Sequence, residues 1–304
     1  YKKMDSNNEN LKTIIITGCS NGLGLETLKK IAKNFKKYRI IMACRNIPKT
    51  NSLKEQIEQE TQNKNLIVME LDTSSLESVQ KFVNNYKNSS YGKIYALVCN
   101  AGIGGNNIGT SKDGYDIIFA TNHLGHFLLV NSLVPLMEEN GRIIMVSSDM
   151  HDPPKDMIKI NFEWIGTEKI AKPDEELAKS NIRYSYSKLC NLYFTYEFQK
   201  RMKDKKILIN AFTPGFIPET GLSRLMKIPP QIVKIVSEKH PERMGDLEKS
   251  SQALCDIITM ENLLNNGDYF DRSTNVIKTS ELSYNESNSK ELWDMSESYV
   301  KKYY

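Results

Sequence analysis

Residues 13–24, Thr13-Ile14-Ile15-Ile16-Thr17-Gly18-Cys19-Ser20-Asn21-Gly22-Leu23-Gly24, decide how the rest of the chain is read. Five residues of β character run without a break into a glycine turn, and a helix-forming stretch follows at once. Glycines at such a junction let the backbone turn tightly and come close to a pyrophosphate, which then rests on the amino end of the next helix. The spacing is G-x3-G-x-G, not the commoner G-x-G-x-x-G, and a bare strand-to-helix turn would use glycine in the same way.

Outward from this turn the pattern repeats. Short apolar runs at Thr13–Thr17, Arg39–Cys44, Leu66–Leu71, Ile94–Cys99, Arg142–Val146 and Lys206–Phe212 read as strands. Between them lie helical stretches, among them Gly24–Phe35, Leu76–Tyr86, Asn122–Met137 and Tyr186–Met202. Strands that are apolar throughout, alternating with helices, predict a doubly wound α/β domain of Rossmann type, with a mostly parallel, seven-stranded sheet covered on both faces. After a polar tail over 1–12, one domain over 13–304 is expected. Two insertions, at about 149–183 and 222–245, follow strand ends and should overhang the ligand crevice. The second, rich in Leu, Ile and Val, is expected to be a substrate lid, with a membrane-dipping amphipathic segment as the alternative.

Composition narrows the function. The 304 residues carry 41 basic and 37 acidic side chains, a net charge of +4, largely interspersed. No basic stripe interleaved with aromatics argues for nucleic acid. Five cysteines without a CxxC spacing predict neither a disulfide framework nor a metal site. Tyr1–Lys12 is polar, without the apolar run of a signal peptide, and no stretch reads as a membrane span; the expectation is cytoplasmic. Apolar residues on more than one face of Leu124–Met137 and Leu189–Phe198 point to burial on two sides, by a homodimer partner or by the insertions.

Strand ends then supply the candidate cofactor residues: Gly18, Ser20, Asn21, Gly22, Leu23 and Gly24 after the first, and Arg45 after the second. A carboxylate there would hold a ribose 2′-hydroxyl, whereas arginine suits a 2′-phosphate. No acidic residue stands between Glu26 and Glu55, so the expected cofactor is NADP(H). Asp72 and Thr73 end the third strand, where an adenine contact is plausible. Asn100, Ala101 and Gly102 end the fourth, small enough to let the backbone pass close. Tyr184 and Lys188 stand four apart, on one face of a helix, where an ammonium beside a phenol lowers its pKa. Tyr186 lacks such a partner, since Cys190 is its i+4 residue. Ser148 ends the fifth strand, where a hydroxyl can bind a carbonyl oxygen. Asn122, read as opening a helix, could fix a relay water or simply cap. His123 and His126 read as packing, and His151 as a residue of the first insertion within reach of substrate.

Taken together, Thr17–Gly24, Asn100-Ala101-Gly102, Asn122, Ser148, the Tyr184/Lys188 pair and Pro214-Gly215 resemble, in order and strand position, the short-chain dehydrogenase/reductase superfamily. Ala43–Asn46, Thr121–Leu129 and Tyr184–Asn191 resemble its retinol dehydrogenases and light-dependent protochlorophyllide oxidoreductases. Pro214–Arg224 and a late helix with Leu292-Trp293 and Ser296-Glu297 resemble the latter. The resemblance implies Tyr184 as acid/base and Lys188 as its pKa-lowering, ribose-holding neighbour. It further implies Ser148 as the carbonyl-polarising hydroxyl, Asn122 as anchor of a relay water, and Pro214, Gly215 and Thr220 as contacts of the nicotinamide amide or phosphates. Phe216 stands where the pigment reductases carry a cysteine, which argues against their photochemistry. The expected activity is hydride transfer between NADP(H) and a carbonyl/alcohol pair on a fairly apolar small molecule. Reduction of a C=C bond and a non-catalytic NADP(H) sensor are the alternatives.

Overall fold

The computed structural model describes residues 11–105, 109–156, 161–178, 182–222 and 228–304. Its centre is a seven-stranded sheet in the order β3-β2-β1-β4-β5-β6-β7. The strands are β1 (Lys12–Thr17), β2 (Tyr38–Cys44), β3 (Leu66–Glu70), β4 (Ile94–Cys99), β5 (Met137–Val146), β6 (Leu208–Phe212) and β7 (Tyr269–Phe270). Every neighbouring pair is parallel. The expected doubly wound sheet is therefore present, and it is wholly parallel.

Side chains alternate across a strand, so adjacent residues of β1 enter different cores. Ile15, with Ile41, Leu97 and Ile143, faces the core beneath helices Leu76–Lys87, Gly125–Leu133 and Ile182–Arg201. Ile14 and Ile16, with Ile40, Met42, Val98 and Ile144, face the core beneath helices Gly22–Asn34, Ile47–Thr61 and Leu247–Thr259. Burial on both faces is why these strands read as unbroken apolar runs. Successive strands step from β1 out to β3, and the chain then returns to place β4 on the other side of β1. That reversal opens a crevice at the carboxyl ends of β1 and β4, the usual ligand site of such sheets.

Several sequence expectations shift. Asn122 does not open a helix. Asp116 does, its Oδ1 accepting from the backbone N–H groups of Ile118 (2.9 Å) and Phe119 (3.0 Å). Asn122 sits one turn inside, in a π-helical turn over Ala120–Leu124. The run Ile117–Leu136 is, by length and composition, apolar enough to cross a membrane, against the expectation that no stretch would be. Its most apolar window is 83% buried inside this fold, so core packing accounts for that character. Helix Ile182–Arg201 is likewise covered within the chain: the C-terminal helix Glu286–Val300 lays Trp293 flat on Phe194, with ring centroids 5.5 Å apart. The two-sided apolarity of both helices thus has its cause inside one chain.

Candidate active site

Gly18, Arg45, Asp72, Asn100, Ser148 and Pro214 follow the carboxyl ends of β1 to β6 in turn, so they meet along one edge of the sheet. Gly18 and Gly22 have φ of 65° and 54°, the left-handed region that glycine enters without strain. A Cβ on Gly18 would stand 2.7 Å from the Ala101 Cα, so the glycine loop and the β4 turn touch backbone to backbone. Asn21 precedes the helix Gly22–Asn34 without a side-chain capping bond, and the first turn holds no acidic residue. Thr220 lies over this loop, its Cβ 3.7 Å from where a Gly22 side chain would start. Arg45 is exposed at the end of β2.

Thr17 ties the crevice together. Its hydroxyl oxygen accepts the N–H groups of Asn100 and Ala101, both at 2.9 Å, and lies 2.9 Å from His126 Nε2. His126 Nδ1 lies 3.2 Å from the Asn122 carbonyl oxygen. A carbonyl can only accept, so Nδ1 carries the proton and Nε2 accepts from Thr17. Burial pushes this ring down to about 4, which keeps it neutral. Asn100 is itself turned back on the loop, its Nδ2 donating to the carbonyls of Thr17 (2.9 Å) and Gly18 (3.2 Å). Asp72 Oδ1 accepts from the Ser74 hydroxyl at 2.6 Å, and the Thr73 carbonyl abuts Gly125, leaving no room there for a Cβ.

The four catalytic candidates converge beyond this hub. Asn122 is fully buried. Its Oδ1 accepts from Ile103 N–H (2.8 Å), and its Nδ2 donates to the Ile103 carbonyl and the Ser187 hydroxyl, both at 2.9 Å. A Cβ placed on Gly102 would lie 3.3 Å from Asn122 Oδ1 and 3.7 Å from Lys188 Nζ, so the three residues enclose one small space. Tyr184 and Lys188 share a face of helix Ile182–Arg201, the ammonium 5.4 Å from the phenol ring centre. Ser148 caps a short 3-10 turn, accepting from Met150 N–H at 3.2 Å, and its side chain acts on the Tyr184 phenol to pull it down.

The electrostatics depart from the simple pairing read in the sequence. Burial pushes the Tyr184 phenol up to about 12, Ser148 pulls it down, and the Asp149 carboxylate pushes it up. Burial also pushes Lys188 down to about 8. Its Nζ donates to the Val146 carbonyl at 2.9 Å, an interaction with β5 rather than with the phenol. Ser147 returns the tie, its hydroxyl donating to the Lys188 carbonyl at 2.9 Å. His151 is a brace: Nδ1 lies 2.8 Å from the Ser148 carbonyl, and Nε2 accepts Ser280 N–H at 3.1 Å. Arg183, next to Tyr184, forms a buried ion pair with the helix-capping Asp116. Sequence reasoning gave no role to Thr17, Ser147, Asp116 or Arg183. A buried Asp and Arg 67 residues apart leave no local pattern to find.

The second insertion is only partly described, since 223–227, with Arg224, Leu225, Met226 and Lys227, lie outside the described residues. Helix Pro230–Lys239 buries Val236 and half-buries Ile232 and Val233. Its far end is pinned: Phe216 N–H donates to the Arg243 carbonyl (2.7 Å), and Gly245 N–H to the Phe216 carbonyl (2.8 Å). Pro214 and Gly215 stand at this junction, Gly215 at φ 72° against Gly245.

Residues 12–157 match the family model of the short chain dehydrogenases. The chain belongs to the short-chain dehydrogenase family. It is 33% identical over 218 residues to the WW domain-containing oxidoreductase of Gallus gallus, covering 70% of this chain and 50% of that protein. It is 32% identical over 230 residues to retinol dehydrogenase 14 of Mus musculus, covering 72% of this chain and 64% of that protein. The chain thus spans half to two thirds of the length of these relatives. The dehydrogenase fold itself recurs in the 3-ketoacyl-(acyl-carrier-protein) reductase of Brucella melitensis, a structure complexed with NADH. Its TM-score is 0.64 at 20% identity, over 86% of this chain and 98% of that one.

Proposed function

We propose that the protein is an NADP(H)-dependent oxidoreductase that moves a hydride between the nicotinamide and a carbonyl/alcohol pair of a fairly apolar small molecule. The observation that carries this reading is the enclosure formed by Gly102, Asn122 and Lys188, with the Lys188 ammonium 5.4 Å from the ring centre of Tyr184. Retinol dehydrogenases among the relatives support an apolar alcohol or aldehyde.

The residues present fit the cofactor. The glycine loop is free of side chains where its backbone must come close, and the uncapped, acid-free start of helix Gly22–Asn34 favours a pyrophosphate. Arg45 would take the 2′-phosphate. Thr73 would meet the adenine and Lys188 the ribose. When bound, the nicotinamide supplies or accepts the hydride. Tyr184 would hold the transferable proton at its hydroxyl, giving it to a carbonyl oxygen in reduction and taking it back in oxidation. Ser148 would donate to that same oxygen as negative charge grows on it. With its phenol near 12, Tyr184 is a proton donor at neutral pH; removing that proton requires a positive charge brought near, and Lys188 is the group within reach. We further propose that the segments over 149–183 and 222–245 cover the substrate, and that the protein works in a reducing compartment such as the cytoplasm, in keeping with five free cysteines.

Tyr184→Phe tests the assignment. Turnover of aldehydes with NADPH should fall about 10²–10⁴-fold, the usual worth of a positioned acid, while NADPH affinity stays. Tyr186, whose hydroxyl donates to the Glu163 carbonyl and whose ring stacks on Phe162, is the control; Tyr186→Phe should keep turnover. Wild-type turnover in Tyr184→Phe would remove the proposed mechanism.

A further inference from the structure

Two thiols at the cofactor end have no part in the chemistry above. Thr17 and Ala43 are register partners of β1 and β2, and Gly18 N–H donates to the Ala43 carbonyl at 3.0 Å. The next residues of the two strands therefore turn toward one another, and Cys19 Sγ lies 3.5 Å from Cys44 Sγ. The pair is chemically unequal. The neighbouring Cys19 thiol, more than the Thr50 and Ser20 hydroxyls, pulls the Cys44 thiol down to about 7 against the effect of burial. Cys19 is pushed well up, first by Cys44 and then by burial. A thiol drawn toward its thiolate is a nucleophile, and a protonated thiol in contact with it is a ready resolving group. Burial pushes the other three, Cys99, Cys190 and Cys255, up.

We propose that Cys19 and Cys44 form a reversible disulfide, made by hydroperoxide, that closes the adenosine end of the cofactor site. The bond rests only on the two thiols; its effect on binding rests on the cofactor reading given above. The Cys44 thiolate attacks one oxygen of hydrogen peroxide, breaking the O–O bond to give a sulfenic acid and hydroxide, which takes a proton to become water. Cys19 then loses its proton and attacks the Cys44 sulfur, and the hydroxyl leaves as a second water. Two thiols lose two electrons, and one peroxide becomes two waters. Both sulfurs are nearly enclosed, Cys44 being 3% and Cys19 0% exposed, so burial favours a water-sized peroxide over bulkier disulfides as the oxidant.

The closed bond acts on binding through its neighbours. Cys19 is followed by Ser20 and Asn21 of the glycine loop, and Cys44 by Arg45, the residue placed at the 2′-phosphate. Drawing the two sulfurs from contact into a bond pulls the loop onto the end of β2.

The full-length reduced protein is treated with hydrogen peroxide, quenched with catalase, unfolded and alkylated. Three of its five cysteines should then be alkylated, and a digest should yield a dithiothreitol-sensitive peptide joining Cys19 to Cys44. NADPH titrated by fluorescence should bind at least tenfold more weakly after oxidation and recover with dithiothreitol, and saturating NADPH should slow the cross-link. Cys19→Ser and Cys44→Ser should each abolish the joined peptide. Failure to find that peptide overturns the proposal outright. A joined protein that binds NADPH as tightly as the reduced one overturns the gating. Should reduced protein bind neither nicotinamide cofactor while the peptide still forms, the disulfide stands, and the gating falls together with the cofactor reading.

Discussion

Replacing Lys188 by Met should make the protein more stable at neutral pH and inactive. The ammonium is buried, 3% exposed, and burial pushes it down to about 8 from an ordinary 10.5. Between those two pH values the folded protein releases a proton that the unfolded chain keeps, so the unfolded state binds more protons and stability rises with pH. This stability is fully present above the unfolded value and is lost as pH falls through about 8. At pH 7 the charged lysine therefore costs the fold about 3 kcal/mol, at about 1.4 kcal/mol per pH unit. Methionine fills similar volume without charge. It gives up the bond from Nζ to the Val146 carbonyl, worth about 1 kcal/mol. That carbonyl keeps Asn191 Nδ2 as donor, at 3.3 Å, and is not orphaned. The net expectation is a gain of about 2 kcal/mol at pH 7, shrinking to a loss of about 1 kcal/mol where wild-type Lys188 is neutral in both states. Urea unfolding of both proteins at pH 7 and pH 10 measures the difference. An unchanged stability gap between the two pH values would refute the reasoning, because only the proton makes it pH-dependent.

Three further outcomes follow from the geometry. Arg45→Ala should reduce the preference for NADPH over NADH at least tenfold in fluorescence titrations, at about 1.5–3 kcal/mol for charge-assisted bonds; an unchanged ratio would move the 2′-phosphate elsewhere. Gly125→Ala places a Cβ 2.0 Å from the Thr73 carbonyl oxygen, a clash with backbone that must shift the helix; it should cost about 1–3 kcal/mol in urea unfolding and lower NADPH affinity with it. Asp116→Asn keeps an acceptor for the helix cap but strips the charge facing Arg183 in a buried pair; it should cost about 3–5 kcal/mol, and a loss under 1 kcal/mol would show the pair to be unimportant.

The sheet was legible because its strands obey a local rule. Ile14, Ile15 and Ile16 enter two cores, and only a sheet buried on both faces permits that run. The glycine loop was legible for a similar reason, since backbone contact at Gly18 excludes any larger residue. Tyr184 and Lys188 were legible through helical spacing, but their electrostatics were not. Spacing shows that two groups share a face, whereas pKa follows from burial and from partners such as Ser148 and Val146 on another element. Asn122 was placed at a helix start because Thr121-Asn122 resembles a cap. The true cap, Asp116, precedes three apolar residues whose pattern suits strand or helix equally. β7 escaped notice because two paired residues, Tyr269 and Phe270, carry no periodicity.

The buried polar residues around Asn122 also explain why this part of the fold departs from regular helix. Thr17, His126 and Asn122 form one chain of bonds from the glycine loop to the candidate catalytic residues: two backbone N–H groups enter Thr17, Thr17 donates to His126, and His126 donates to the Asn122 carbonyl. The Thr17 hydroxyl also has the Val98 carbonyl, at 3.3 Å, as an acceptor, and little of the desolvation cost is left unmatched. The π turn over Ala120–Leu124, in which Gly125 N–H reaches back five residues to the Ala120 carbonyl, is the local distortion that accompanies this arrangement. A regular helix gives up internal hydrogen-bond quality there. In return, Asn122 is held by Ile103 and Ser187 on three bonds, beside Gly102 and Lys188. The glycine loop and the candidate catalytic residues are thereby joined by hydrogen bonds, Thr17 reaching Asn122 through a single imidazole.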